Sequence, residues 1–278
     1  MQVRITLHKA AASAALLCCL GLAQAQATKT TLQDGVLSVG SDLTYPPYAY
    51  LDKGQPAGFD VEFSQLLGRH AGLKPEFQDT RFADLVLGLR ARRFDAVASA
   101  LFVTPERARL VDYVPYLKTG SSFVVLEGSS HAPQQLAELC GKRIASIKGA
   151  SWTPKLARFS AAQCKGAGDI KVLEFPTTPE ALLALKSRAA DLLIEDTAVA
   201  HGLAARAGSG LKVSSTTIIY PMVIGVGLHK DASALKAQLA KALEQARAAG
   251  EYQALLAKYG LQAPSDADMQ DALAGTAK

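Results

Sequence analysis

Strand-like and helix-like segments alternate along most of this chain, and that alternation restricts the fold more than any other feature of the sequence. Val36–Gly40 reads as a strand, and Phe59, Phe63, Leu66, Leu67 and His70 then recur at helical spacing. Pro75–Gln78 reads as a short strand, Asp84–Arg92 as a helix and Phe94–Ala98 as a strand. After Gly120 the pattern resumes with a strand at Phe123–Leu126, a helix at Pro133–Leu139 and a strand at Arg143–Ile147. A helix at Thr153–Ala161, a strand at Ile170–Glu174, a helix at Pro179–Ser187 and a strand at Asp191–Ile194 follow. Thr197–Arg206 reads as a helix and Val223–Leu228 as a strand. Two helices, Ala232–Ala248 and Tyr252–Lys258, are expected to close the chain, with Asp231 or Ser233 capping the first. Such alternation predicts an α/β fold with parallel sheets and helices outside them.

The pattern contains an internal echo. Leu87-Gly-Leu-Arg-Ala-Arg-Arg-Phe-Asp-Ala-Val-Ala-Ser99 resembles Leu183-Ala-Leu-Lys-Ser-Arg-Ala-Ala-Asp-Leu-Leu-Ile-Glu195 at a constant offset of 96 residues. Any helix–strand unit shares some of this pattern, and the sharper reading is two lobes of similar build. That reading places Ser99-Ala100 and Glu195-Asp196 at corresponding strand ends. Ligands of open α/β sheets bind outside the carboxyl ends of strands. Two such edges facing each other make a cleft.

The amino terminus sets the expected compartment. Arg4 and Lys9 precede an apolar run of 14 residues, Ala10–Ala23. Ala23-Gln-Ala25 and Ala25-Gln-Ala27 carry the small-x-small pattern of a signal-peptide cleavage site. The run is shorter than the roughly 20 apolar residues of a membrane span. Residues 1–25 therefore read as a signal peptide, with cleavage after residue 25 or 27, and Cys18 and Cys19 leave with it. The remaining chain of about 250 residues suits one large or two modest domains. No later stretch of the sequence reads as a membrane span. The formal charge of +5 falls to +3 without Arg4 and Lys9, too little to argue for nucleic acid. Two cysteines remain, Cys140 and Cys164. In an oxidising compartment an isolated pair closes into a disulfide more often than it persists as two buried thiols.

Several residues carry candidate chemistry. Thr104-Pro-Glu-Arg107 has a good N-cap and a proline at the first helical position. Arg107 then sits near a strand end, where a guanidinium can clamp a carboxylate with two parallel bonds or pair on the surface with Glu106 or Asp112. Lys148-Gly-Ala-Ser151 joins a strand to a helix, and amides at such a start can hold an anion. Asp196 can hold an ammonium, cap the next helix, or both. In Ser41-Asp-Leu-Thr-Tyr-Pro-Pro-Tyr48, two prolines stiffen the loop. There Tyr45 can cover a ligand or pack, and Asp42 can reach a polar side chain or form a turn. His70, His131, His201 and His229 read as surface or packing residues. Neither a metal-ligand spacing nor a Ser-His-Asp order is present.

The ordered set Asp42-Leu-Thr-Tyr-Pro-Pro-Tyr, Gly58-Phe-Asp-Val-Glu, Arg93-Phe-Asp-Ala-Val, Thr104-Pro-Glu-Arg, Val111-Asp-Tyr-Val-Pro-Tyr, Gly141-Lys-Arg-Ile-Ala and Gly250-Glu-Tyr is more specific. It resembles the polar amino-acid family of periplasmic solute-binding proteins, family 3, over essentially the whole chain after the signal. The resemblance implies the type II periplasmic-binding-protein fold, two α/β lobes joined by two hinge strands. Lobe 1 would be 28–117 plus 222–278, and lobe 2 118–221. It implies a monomer without cofactor or metal that captures an amino acid and presents it to the permease of an ABC transporter. The family's carboxylate-binding arginine falls on Arg107 and its amine-binding aspartate on Asp196. Its aromatic lid falls on Tyr45, with Phe82 near another pocket aromatic. Its helix-start amide falls on Ala150 or Ser151, and Ser99 and Ala100 would offer carbonyls to the ammonium.

The sequence departs from the family where Phe102 replaces a small hydroxyl residue, Ala150 a threonine and Trp152 a polar residue. Tyr45, Phe82, Phe102 and Trp152 would then wall the pocket, unless Phe102 points into the core of its lobe. An aromatic wall suits a flat or apolar ligand group and also a cation, and Asp42 leaves a cationic side chain open. Two other functions compete with transport. One is a cyclohexadienyl-dehydratase-like lyase using Glu195 as general acid; the other is a sensor that hands its ligand to a receptor.

Overall fold

The computed structural model describes residues 30–275. The signal segment, with Arg4, Lys9, Cys18, Cys19 and the cleavage sites, lies outside the described residues. The elements run β1 (Val36–Ser41), β2 (Thr44–Tyr45), β3 (Ala49–Asp52), β4 (Gln55–Ala57), α1 (Phe59–Ala71), β5 (Lys74–Asp79), α2 (Leu85–Arg90), β6 (Ala96–Val97), α3 (Pro105–Ala108) and β7 (Val111–Leu126). Then come β8 (Arg143–Ile147), α4 (Trp152–Gln163), β9 (Lys171–Phe175), α5 (Thr178–Lys186), β10 (Leu192–Asp196), α6 (Thr197–Ala204), β11 (Leu211–Val213) and β12 (Ile219–His229). Helices α7 (Ser233–Ala248), α8 (Glu251–Tyr259) and α9 (Asp266–Ala274) complete the order.

The strands hydrogen-bond in the order β5-β1-β6-β12-β7-β10-β8-β9, with β11 also on β7 and a separate small sheet β2-β3-β4. Two parallel groups, β5-β1-β6 and β10-β8-β9, thus flank a central antiparallel pair, β7 and β12. The central pair carries the chain between the two α/β halves. One end of β12 joins β6 (Gly227↔Val97), while the far end of β7 joins β10 (Ser121↔Asp196).

The echo in the sequence is an echo in structure. After α2, Arg92 takes a left-handed φ of 55°; after α5, Arg188 takes 62°. Three residues past each turn an aspartate opens the next strand and accepts a neighbouring backbone N–H, Ser38 N to Asp95 Oδ2 and Arg143 N to Asp191 Oδ2, both at 2.8 Å. Each half therefore repeats one local solution: helix, left-handed turn, aspartate clamp, strand. The carboxyl ends of β1 and β6 in one half and of β8 and β10 in the other carry the candidate residues.

Helix α1 shows why these segments fold as they do. Its buried face, including Phe59, Phe63, Leu66 and Leu67, packs against α7 and α8. Asp60 and Glu62 lie in its first turn and Arg69 and His70 in its last, each complementing the helix dipole. Phe63 stacks on Tyr116 of β7 with ring centroids 4.4 Å apart. Cys140 and Cys164 form a disulfide with Cα atoms 5.2 Å apart. It ties the start of β8 to the end of α4, and constraining a loop of this size contributes about 3 kcal/mol.

The structure differs from the sequence reading at several elements. The strand expected at Phe123–Leu126 is the end of the 16-residue β7. Pro115 breaks its pattern, yet it pairs with Gly225 beside a register irregularity, where a missing N–H is tolerated. The segment Phe94–Ala98 pairs only at Ala96–Val97. Pro133–Leu139 forms only a 3₁₀ turn at Leu136–Leu139. A third closing helix, α9, carries a capping box between Ser265 and Asp268. The N-cap of α7 is Ala232, with no side-chain cap; Ser233 is the first helical residue, and Asp231 faces Arg92 instead.

The close fit of the first half gives a sharp test. A Cβ on Gly40 would lie 2.5 Å from the Phe94 ring, and one on Gly88 2.7 Å from the same ring. Gly40→Ala is expected to destabilise the chain by about 1–3 kcal/mol through overpacking, with partial recovery in Gly40→Ala/Phe94→Leu. Denaturant unfolding measures both, and an unchanged midpoint in the single variant would show that β1 and Phe94 are not packed as described.

Candidate functional site

Four strand ends, those of β1, β6, β8 and β10, and the short helix α3 carry most of the candidate residues. After β6 the chain turns sharply at Ala100, a non-glycine residue with φ 47°. The Ala100 N–H donates to Asp60 Oδ2 at 2.6 Å, and Tyr116 donates its hydroxyl to Asp60 Oδ1 at 2.6 Å. Buried Asp60 thus pins the turn that leads to Phe102 and α3. Burial pushes its carboxyl up to about 6, against the lowering effect of both hydrogen bonds. The sequence reading missed this positioning role. Its signal was an acidic residue in the first turn of an apolar helix, which also has the ordinary reading of dipole complement.

Helix α3 presents Arg107. Thr104 caps it by accepting the Arg107 N–H, and Pro105 occupies the first position. The Arg107 guanidinium donates to Phe102 O at 3.0 Å and, across to the other half, to Gly149 O at 2.9 Å. It also lies over the Phe82 ring, 5.4 Å from the centroid. Burial pulls its pKa below the ordinary value, while Glu106 and Tyr113 oppose that shift. Two of its five N–H donors are engaged by neutral carbonyls. Among the described residues no carboxylate forms an ion pair with it; Asp112, a possible surface partner, pairs with Lys230 and Lys236.

A small cavity lies beside this guanidinium. Tyr45, Phe82, Ala100, Phe102, Arg107, Ile147, Ala150, Ser151 and Trp152 line it, and its volume is about 10 Å³, roughly the room of one water. The structure therefore brings eight of the eleven candidates together. Phe102 faces this cavity, its ring edge-on to Trp152 at 5.7 Å between centroids. The indole N–H of Trp152 donates to Ser146 Oγ at 2.7 Å. Arg107, Ala150 and Ser151 also line a wider chamber of about 620 Å³ with Lys155, Arg158, Glu106 and Glu174.

The other three candidates lie outside the lining of the small cavity. Asp42 is fully buried. It pairs with Arg81 Nη1 at 3.0 Å and accepts from Thr44 Oγ1 and from the Phe82 N–H. Ser99 Oγ accepts from the Asp42 N–H. Asp196 is fully buried as the N-cap of α6. Its Oδ1 accepts from Tyr48 Oη, Ala198 N and Val199 N, and its Oδ2 accepts from Thr119 Oγ1 at 2.8 Å.

Glu195, beside it, has both oxygens engaged: Tyr45 Oη donates to Oε2 at 2.7 Å and Thr178 Oγ1 to Oε1 at 2.6 Å. Tyr45 and Tyr48 come from one half and the two acids from the other, so two tyrosine–carboxylate bonds cross the cleft. Burial raises Glu195 to about 7 and Asp196 to about 6, partly offset by the donated hydroxyls. Tyr48, Thr119 and Thr178 escaped the sequence reading because their partners lie far away in the chain.

The family described as bacterial extracellular solute-binding proteins, family 3, matches residues 37–262. The chain belongs to this family. It is 27% identical over 238 residues to the L-arginine-binding protein of Pseudomonas aeruginosa, covering 83% of this chain and 90% of that one. The structure of an ancestral arginine-binding protein bound to arginine matches at a TM-score of 0.74 and 28% identity, covering 81% of this chain and 98% of that one. An ancestral amino acid-binding protein that is a precursor of cyclohexadienyl dehydratase matches at 0.70 and 26%, covering 81% and 95%. The architecture is the type II periplasmic-binding-protein fold, and these relatives are binding proteins.

The buried acids make stability depend on pH. Burial raises Glu195 from 4.5 to about 7, so the folded chain holds this proton more tightly than the unfolded one. The resulting stability is fully present below about pH 4 and is lost as pH rises through 7. The full effect is on the order of 3 kcal/mol. Between pH 5 and 8 the melting temperature of the wild type is expected to fall more steeply than that of Glu195→Gln. Parallel curves would remove Glu195 from the set of titrating buried groups.

Proposed function

We propose that this family member captures an amino acid between its two halves outside the cytoplasm and presents it to the permease of an ABC transporter. Arg107 carries the proposal. It is a cation in the cleft held only by neutral carbonyls, one from each half, and it has N–H donors to spare. A ligand carboxylate would complete it with two charge-assisted bonds. The amides of Ala150 and Ser151 at the start of α4 would add donors, and Tyr45 and Phe82 would cover the ligand.

The ammonium would turn toward Asp196, whose Oδ2 accepts one bond and retains a lone pair. The carbonyls of Ser99 and Ala100 would share it. One ligand then engages both halves and favours the closed over the open arrangement by its differential affinity for the two. The lobes would be 28–117 with 222–278, and 118–221, with the hinge where β7 and β12 pass between them. Residues 1–25 would direct the chain to the periplasm, where a single polypeptide serves the permease. A lyase reading would need Glu195 presented to the substrate, but it is not among the residues lining the cavity and both its oxygens already accept hydroxyls, from Tyr45 and Thr178.

Trp152 is the single tryptophan and lines the cavity, so its fluorescence reports ligand entry. In a titration with the twenty amino acids, a few are expected to change it. Arg107→Ala is expected to weaken binding of those by roughly 2–5 kcal/mol, at least about thirtyfold. Asp196→Asn keeps a capping side chain but loses the charge, and it is expected to weaken binding as well. Wild-type affinity in the Arg107 variant would sink the proposal.

A further inference from the structure

We infer, resting on the amino-acid reading of this cleft, that the ligand has an uncharged aliphatic side chain and that cationic amino acids are excluded. A cationic side chain buried between the halves would need an aromatic face or a carboxylate to hold it; the face of Phe82 already carries the Arg107 guanidinium, which leaves the task mainly to a carboxylate. The small cavity offers none: its one charged lining residue is Arg107, which is itself a cation.

The fully buried carboxylates of the cleft already have partners from the chain. Asp42, the acid that could have met a cationic side chain, is paired at 3.0 Å with the guanidinium of Arg81. The same arginine also pairs with Asp79, and Asp42 further accepts from Thr44 and the Phe82 N–H. Arg81 therefore already supplies Asp42 with the guanidinium partner that a ligand side chain would otherwise have to provide. Glu195 is closed off by Tyr45 and Thr178. Asp196 keeps only the single lone pair assigned to the ammonium.

The walls lead to the same class. Phe82, Phe102, Ile147 and Trp152 present apolar surface. Trp152 has one polar atom, and it is turned to Ser146, so the indole offers no hydrogen bond to a ligand side chain. Phe102 and Trp152 meet edge-on in the cavity lining, and in a cavity of about 10 Å³ a short group would displace these rings least. Beyond the cavity, the wider chamber holds Arg107, Lys155 and Arg158 against Glu106 and Glu174, an excess of positive charge that also disfavours a cation.

Calorimetric titration of the mature full-length chain with alanine, valine, leucine, arginine, lysine and glutamate tests the inference. At least one aliphatic amino acid is expected to bind about a hundredfold or more tighter than arginine, lysine or glutamate. Phe102→Ala, checked for folding by thermal denaturation, is expected to shift preference toward the larger aliphatic side chains. Arginine, lysine or glutamate binding as tightly as the best aliphatic ligand would overturn the inference and leave the amino-acid reading standing. An unchanged order of preference in a folded Phe102→Ala variant would overturn the role of the wall. Absence of binding by all six and by every other amino acid would fell the amino-acid reading itself, and this inference with it.

Discussion

The guanidinium of Arg107 organises this molecule. It is drawn into the cleft by a capped single turn of helix and steadied by a carbonyl from each half. A half-buried cation whose hydrogen bonds go only to neutral carbonyls is incompletely compensated within the fold, and an anion is the group that would complete it. The rest of the architecture serves that position. Asp60 fixes the strained turn at Ala100, the turn sets Phe102 and Thr104, and Thr104 sets Arg107. The opposing half brings the β8–α4 junction to the same point.

A second set of charges acts in the opposite sense. Glu195 and Asp196 are adjacent, fully buried and bonded to tyrosines of the other half. Their raised pKa values follow from burial, and the hydroxyl donors only partly offset it. The cleft therefore has a cationic side and an acidic side, separated by aromatic rings. A zwitterion would match that division, and the ring-lined space between the poles would select its side chain. The relatives named for arginine share the frame. In this chain the cleft also holds the Arg81–Asp42 pair and the edge-on Phe102–Trp152 contact, the two features on which the proposed exclusion of a cationic side chain rests.

Much of the frame was legible in the sequence because it rests on local periodicity. The core strands and helices recur at regular spacing, and the offset of 96 residues anticipated two halves whose turns share a left-handed arginine. Counting cysteines was enough to anticipate the disulfide. What could not be read depends on partners far apart in sequence. β7 was hidden because Pro115 and Lys118–Gly120 interrupt its pattern, and its length follows from pairing with β12. Asp42 looked free for a ligand because nothing in its spacing announces Arg81, 39 positions later. Asp60 looked like an ordinary helix-start acid, and its hold on Ala100 exists only once the start of α1 meets the turn after β6, 40 positions along the chain.

The central claim is that one ligand carboxylate completes Arg107 inside this cleft. A crystal structure of the chain with the amino acid it binds tests that most directly. The account predicts both carboxylate oxygens within about 3 Å of the Arg107 guanidinium, the ammonium directed to Asp196, and Phe102 and Trp152 flanking the side chain. A ligand seated without contact to Arg107, or a guanidinium turned out to solvent beside a bound amino acid, would contradict it.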